Sequence, residues 1–391
     1  MKRMLKPTII SISMATVMAG AAISPALGLI AANFPEANPV MIKLILTAPS
    51  LFIIPFTFIS SWLTSKIPKR TVALIGLFIY VVAGVGAQFT NTIEMLLAFR
   101  FILGAGVGLV MPLGITLISD HFAGREQVKM MGYNSAFSNF GGIITMMLAG
   151  YLAAISWRAP FNVYLMGVVI FIMVFLFLPK DTPHTQDKGI PRSKMPLMVF
   201  GYAAASAGIM LVYYSVATNM ALYLEQSNIG GSALAGTVIS FTTVGGMITS
   251  LTLIQLQDIL KSYIMPISIL LMGVAFTGLA LSHSVPLILA CTCIIGFGQG
   301  ILFPIINVKA LSLVNPLHSD RVIAIVSSSI FIGQFSSPLL LDGIASLAGF
   351  PTIRFQYSVI GIALGITLGI TVLLIILFKV FRKPKVSAIE A

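Results

Sequence analysis

The chain has 391 residues, of which 58% are hydrophobic and 9% charged, and it carries a net charge of +12. Soluble domains carry roughly 25% charged residues, so a water-soluble fold is excluded and lipid must be the solvent for most of this surface. The basic residues sit in short segments between apolar runs, with no basic stripe or aromatic RNA-binding pattern, which excludes a nucleic-acid binder.

A bilayer core of about 30 Å takes about 20 apolar residues as a helix. Lys2, Arg3 and Lys6 precede an apolar run over 8–32. The apolar core of a signal sequence is shorter, so this run is read as a first, uncleaved membrane helix. Runs over 40–64, 71–89, 93–119, 130–155 and 160–178 follow. A polar stretch with Asp181, Asp187, Lys188 and Arg192 then reads as a linker over 179–195. Six further runs cover 196–224, 232–257, 262–281, 286–313, 322–347 and 355–378, before a basic tail over 379–391. Backbone polar groups have no water to bond in hydrocarbon, and no barrel-type alternation is present, so all spans are expected to be helical. The resulting fold class is all-α membrane, with twelve transmembrane helices. The domains are an N-terminal bundle over 1–178 and a C-terminal bundle over 196–378.

Lysine and arginine set orientation. With the N-terminus inside, 18 of them fall in inner segments and 3, Lys43, Arg158 and Arg354, in outer ones. Both termini are therefore expected in the cytoplasm, in a multi-pass protein of the inner (plasma) membrane.

The fourth run contains Gly104, Gly106, Gly108 and Pro112, and the tenth contains Gly296, Gly298, Gly300 and Pro304, each pair 192 positions apart. Gly141 and Gly333 share that offset, as do Lys69 and Lys261. The second half thus reads as a parallel copy of the first, giving two pseudo-symmetric six-helix bundles with a substrate site expected near the midplane between them. No strand precedes either glycine series, so helix packing is a better reading than a dinucleotide fingerprint.

Cys291 and Cys293 lie in one apolar run, and the four histidines form no cluster. No metal site, nucleophile elbow or paired carboxylates are visible, so no enzyme chemistry and no cofactor are expected.

The loop 61–70 keeps Lys66, Lys69 and Arg70, and Arg100 is followed by Gly104. With the Gly-rich fifth and eleventh runs, these residues resemble the major facilitator superfamily, most closely its twelve-helix drug and metabolite exporters of the drug:proton antiporter type. The loop departs from that pattern at Ser61, Ser65 and Pro68, and Thr145-Met146 stands where the exporters have Gly-Pro. The resemblance implies the major facilitator fold, efflux of drug-like solutes of the kind seen in multidrug resistance, and coupling to the proton gradient. It also implies a gating loop of Ser65, Lys66, Lys69 and Arg70, with Asp258 in the matching loop of the second half; serine hydroxyls would replace the usual aspartate. An importer or uniporter of the same fold is the alternative within transport, and a non-transporting membrane sensor or scaffold the alternative outside it. The expected partners are lipid and a small organic substrate, with the chain acting as a monomer.

Arg100 lies about 12 Å from the outer end of its helix at 1.5 Å per residue. A charge at that depth faces a cavity or a partner, which makes it a substrate contact, part of a proton relay, or an interhelical post. Asp342 is the clearest acid within a span, and reads as a proton-coupling group or a solvated rim acid. Glu225, at the end of the seventh run, is a second coupling candidate or an interfacial anchor. In the family the first, fourth, seventh and tenth spans line the cavity. Tyr202, Ser206 and Tyr213 share one face of the seventh by helical spacing, and Gln299, Phe303 and Asn307 one face of the tenth; with Arg100 they form the candidate substrate-binding set.

Overall fold

The computed structural model describes residues 2–179, 195–314 and 319–381. Among them, twelve helical spans are long and apolar enough to cross a bilayer, as the hydropathy predicts. The first six are Met4–Asn33, Pro39–Thr64, Lys69–Phe89, Ile93–His121, Gly124–Ile155 and Ala159–Phe177. The second six are Leu197–Gln226, Ser232–Leu260, Ile264–Leu281, Val285–Leu311, Ser319–Leu347 and Ile353–Phe381. Linker residues 180–194 and tail residues 382–391, including Asp181, Asp187, Lys188 and Arg192, lie outside the described residues. An even number of crossings returns the chain to the side on which it starts. That side is here termed the terminal end, and the opposite side the distal end.

The outward faces carry Phe58, Phe78, Phe175, Leu251, Val274 and Leu281, all exposed. So much bare apolar surface is tolerable only against lipid.

The repeat seen in the sequence is a repeat of packing. Gly106 presses on Gly76 O, and its counterpart Gly298 on Ser268 O, residues that are themselves 192 apart. Gly104 meets the Pro49 backbone, and Gly296 meets the backbone of Thr242. The fourth span therefore lies in a groove between the second and third, and the tenth between the eighth and ninth. Only residues without a side chain allow backbones this close.

The first span is broken. Helix Lys2–Ala21 gives way to a 3-10 turn over Ser24–Ala26 and resumes as Leu27–Asn33. Pro25 has no N–H to continue the ladder. The break carries Ser24 to the seventh span, where its Oγ donates to Ala217 O at 2.5 Å.

The halves meet where the second span packs on the eleventh and the fifth on the eighth. The fifth–eighth seam is tight toward the distal end, with Gly150 against Ser232 O and the Gly236 Cα. Toward the terminal end the same faces of these two helices are bare: Gly132, Ala136, Met247 and Ile254 are all exposed. The bundles are thus closed distally and splayed at the terminal end.

Candidate functional site

A cavity of about 540 Å³ lies between the halves. Its walls come from the first, second, fourth, fifth, seventh, eighth, tenth and eleventh spans. Of the residues predicted for the site, Tyr213, Gln299 and Phe303 line it, joined by Asn139, Tyr214, Phe331 and Gln334. Tyr213 Oη donates to Thr242 Oγ1 at 3.3 Å, and Ser50 Oγ to Gln334 Oε1 at 2.8 Å. The second of these bonds joins the two halves near the midplane.

Arg100, Tyr202, Ser206 and Asn307 do not line this cavity. Arg100 is 1% exposed. Its Nε donates to Ile45 O at 2.7 Å, Nη1 to Tyr164 Oη at 2.6 Å and Nη2 to Ala19 O at 3.1 Å. Tyr164 Oη donates in turn to Ala19 O at 2.7 Å. The guanidinium ties four spans of the first half together from behind the wall. Of the roles open from the sequence, this geometry fits the interhelical post, because every nitrogen already has an acceptor. Tyr202 packs instead beside Val199, Ala310 and Val322, near the terminal end. Ser206 is fully buried, and the Asn307 amide donates back to Phe303 O.

The expectation that Lys43 is an outer-segment charge is corrected by the fold. Lys43 lies inside the second span, 3% exposed, with its Nζ 2.5 Å from Asp342 Oδ1. Asp342 is therefore not a solvated rim acid. The same oxygen accepts from Gln356 Nε2 at 2.6 Å, and Gln356 Oε1 accepts from Asn219 Nδ2 at 2.9 Å. This chain of polar groups closes the distal end, joining the second span to the eleventh, twelfth and seventh. A buried ion pair is tolerated best where its remaining polar sites are bonded; here Gln356 and Asn219 extend the network from Asp342 Oδ1, while Asp342 Oδ2 and Asn219 Oδ1 are buried without a partner among the described residues. Glu225 stands apart from it, beside Gly28 of the first span.

Ser65, Lys66, Lys69 and Arg70 each have a partner in the first half. Ser65 Oγ donates to Trp62 O at 2.7 Å, and Lys66 lies over the Trp62 ring. Lys69 pairs with Asp120 at the terminal end of the fourth span, and Arg70 donates to Phe175 O. Asp258 is exposed at the terminal end of the eighth span. The ion pairs Lys6–Glu126 and Lys69–Asp120 stay inside the first half; among the described residues, only Lys43–Asp342 crosses between halves.

The sequence matches the Major Facilitator Superfamily over residues 9–265 and again over 256–390. The chain belongs to that superfamily. It is a multi-pass membrane protein of the superfamily's transporter type. The nucleoside transporter NupG superposes with a TM-score of 0.76 at 12% identity, covering 94% of this chain and 98% of that one. A bacterial homologue of the human lysosomal transporter Spinster, inward-facing and unoccupied, gives 0.70 at 14% identity, with 94% of each chain covered. At these identities the likeness is one of fold. Protein TsgA of Shigella dysenteriae serotype 1 (strain Sd197) is 29% identical over 156 residues, 38% of this chain and 39% of that protein. Protein TsgA of Escherichia coli O1:K1 is 28% identical over the same length. The match thus spans 39% of the length of these curated relatives.

Proposed function

We propose that this chain is a secondary transporter that moves a small organic solute across the plasma membrane by alternating access. The observation that carries this reading is the asymmetry of closure. A cavity lies between two pseudo-symmetric halves, held shut at the distal end by Lys43–Asp342 and the Gly150–Gly236 seam, with the halves splayed at the other end. Two such halves rocking about a midplane site constitute an alternating-access device. With Lys43 counted inside its span, the basic residues divide 18 to 2 in favour of the terminal end, which supports placing that end in the cytoplasm, so this is read as the cytoplasm-open state.

Net movement is assigned as proton-coupled export. The resemblance to drug and metabolite exporters supports the direction, and the position of Asp342 supports the coupling. Opening the distal end must part Asp342 from Lys43. A carboxylate in that environment then requires a proton or another cation. The test is solute movement into inside-out proteoliposomes under an imposed pH gradient, using a solute obtained by thermal-shift screening. Asp342→Asn keeps the shape without the charge, and is expected to lose pH-driven accumulation while retaining solute counterflow. If Asp342→Asn accumulates solute like wild type, Asp342 is not the coupling group and Glu225 takes its place in the test. If wild type itself ignores the gradient, the uniporter reading stands, which the Thr145-Met146 departure in the fifth span favours.

A further inference from the structure

Among the described residues, none that line the cavity is Asp, Glu, Lys, Arg or His. In a chain with 34 charged residues (23 basic, 11 acidic), this is a property of the site. The nearby fixed charges are each withheld from it. Arg100 has its three nitrogens bonded to Ile45 O, Tyr164 Oη and Ala19 O behind the wall. Lys43 and Asp342 neutralise one another in the distal closure.

What the wall offers instead is amide, hydroxyl and aromatic surface. Tyr213, Tyr214, Phe303 and Phe331 supply flat apolar faces. Gln299 and Asn139 face the cavity with carboxamides that bond to no other described residue, and Gln334 uses its Oε1 for Ser50, leaving its Nε2 as a donor. A carboxamide donates and accepts at once, which matches hydroxyl and amide edges of a solute. An ionised solute entering this chamber gives up hydration and finds dipoles but no counter-charge, an unfavourable exchange.

We infer that the solute is an uncharged, hydroxyl-bearing ring compound of monosaccharide to nucleoside size, stacked on the aromatic wall and held at its polar edge by Gln299, Asn139 and Gln334. This rests on the transport reading above, which supplies the reason for a solute to enter. A cavity of about 540 Å³ lies within the roughly 300–1,000 Å³ range of small-molecule sites.

The experiment uses the full chain purified in detergent, and neutral monosaccharides and nucleosides as probes, each matched with a phosphate, carboxylate or ammonium counterpart on the same skeleton. Binding is read as a rise in unfolding temperature, since a ligand that binds only the folded state stabilises it. At least one neutral probe is expected to raise the transition while its charged counterparts do not. Gln299→Leu is expected to weaken that probe at least tenfold with the ligand-free transition unchanged, and Gln299→Glu to weaken it similarly. A charged counterpart that binds as tightly as its neutral parent, or no response to any neutral probe, overturns the inference. So does a neutral probe whose binding is untouched by Gln299→Leu, Asn139→Leu and Gln334→Leu together. Flux of the same probes into proteoliposomes separates the two readings. Neutral probes that bind without flux sink transport and leave the solute class standing, whereas flux confined to charged solutes sinks the solute class and leaves transport standing.

Discussion

Arg100 and Lys43 are both buried cations of the first half, and they answer the same physical demand in different ways. A cation out of water must be surrounded by acceptors. Arg100 finds two backbone carbonyls and a phenol within its own bundle, whereas Lys43 finds a carboxylate from the other one. Arg100 is therefore a bundle brace, and its loss is expected to appear first as instability. Hydrogen bonds to a charged group contribute about 1.5–3 kcal/mol each. Arg100→Ala should thus lower the unfolding temperature of the purified protein by several degrees, and Arg100→Lys, which cannot satisfy three separated acceptors, by a smaller amount. A stable Arg100→Ala that fails only in solute binding would return the residue to the substrate site. In the sequence Arg100 is conspicuous, being a lone charge in an apolar run. Its partners are not, since two are backbone carbonyls, which have no residue signature. Lys43 looks interfacial because it sits near the start of its run, and its burial depends on Asp342, 299 positions away in the chain.

At the scale of the helix, the spans are legible because about 20 apolar residues in a row leave no alternative in lipid. The glycine series in the fourth and tenth spans is legible as packing, but the sequence does not say which neighbours it meets. The structure does, and it separates two kinds of glycine. A Cβ at Gly104 would run into the Pro49 backbone, which cannot rotate away, whereas at Gly132 nothing lies within 4 Å. Gly104→Leu is expected to force the second and fourth spans apart. The penalty should exceed the roughly 1–3 kcal/mol of ordinary overpacking, lowering both folded yield and unfolding temperature. Gly296→Leu, its repeat counterpart against Thr242, should behave alike, and Gly132→Leu should match wild type. Equal stability of Gly104→Leu and Gly132→Leu in a thermal melt would refute the assigned packing. The face-sharing rule fared less well for the cavity. Tyr213, Gln299 and Phe303 lie on its wall, but Tyr202 and Asn307, on the same faces, sit closer to the splayed end, where helical spacing alone cannot show that the walls have separated.

For the whole molecule, the repeat relates the two distal seams to one another. Gly150 of the fifth span and Asp342 of the eleventh occupy equivalent positions, 192 apart. Each contacts the opposite half: Gly150 meets Ser232 and Gly236 of the eighth span, and Asp342 meets Lys43 of the second. One seam closes by bare backbone approach and the other by an ion pair, so they can be disturbed independently. Unlike Gly104, Gly150 packs between halves, and a side chain there burdens only the distally closed state. In a two-state rocking protein, about 3 kcal/mol against one state shifts the populations by roughly 100-fold. Gly150→Leu is therefore expected to hold the distal end open without unfolding either bundle. The readout is a single cysteine on the cavity wall, Ser327→Cys, in a background with Cys291 and Cys293 changed to serine. In reconstituted vesicles of known orientation, an impermeant thiol reagent should label it from the terminal side in the parent. With Gly150→Leu, labelling should move to the distal side, while the unfolding temperature falls less than for Gly104→Leu. Unchanged sidedness, with a loss of stability as large as that of Gly104→Leu, would mean that the fifth–eighth seam never opens, and that the two halves do not rock about the cavity.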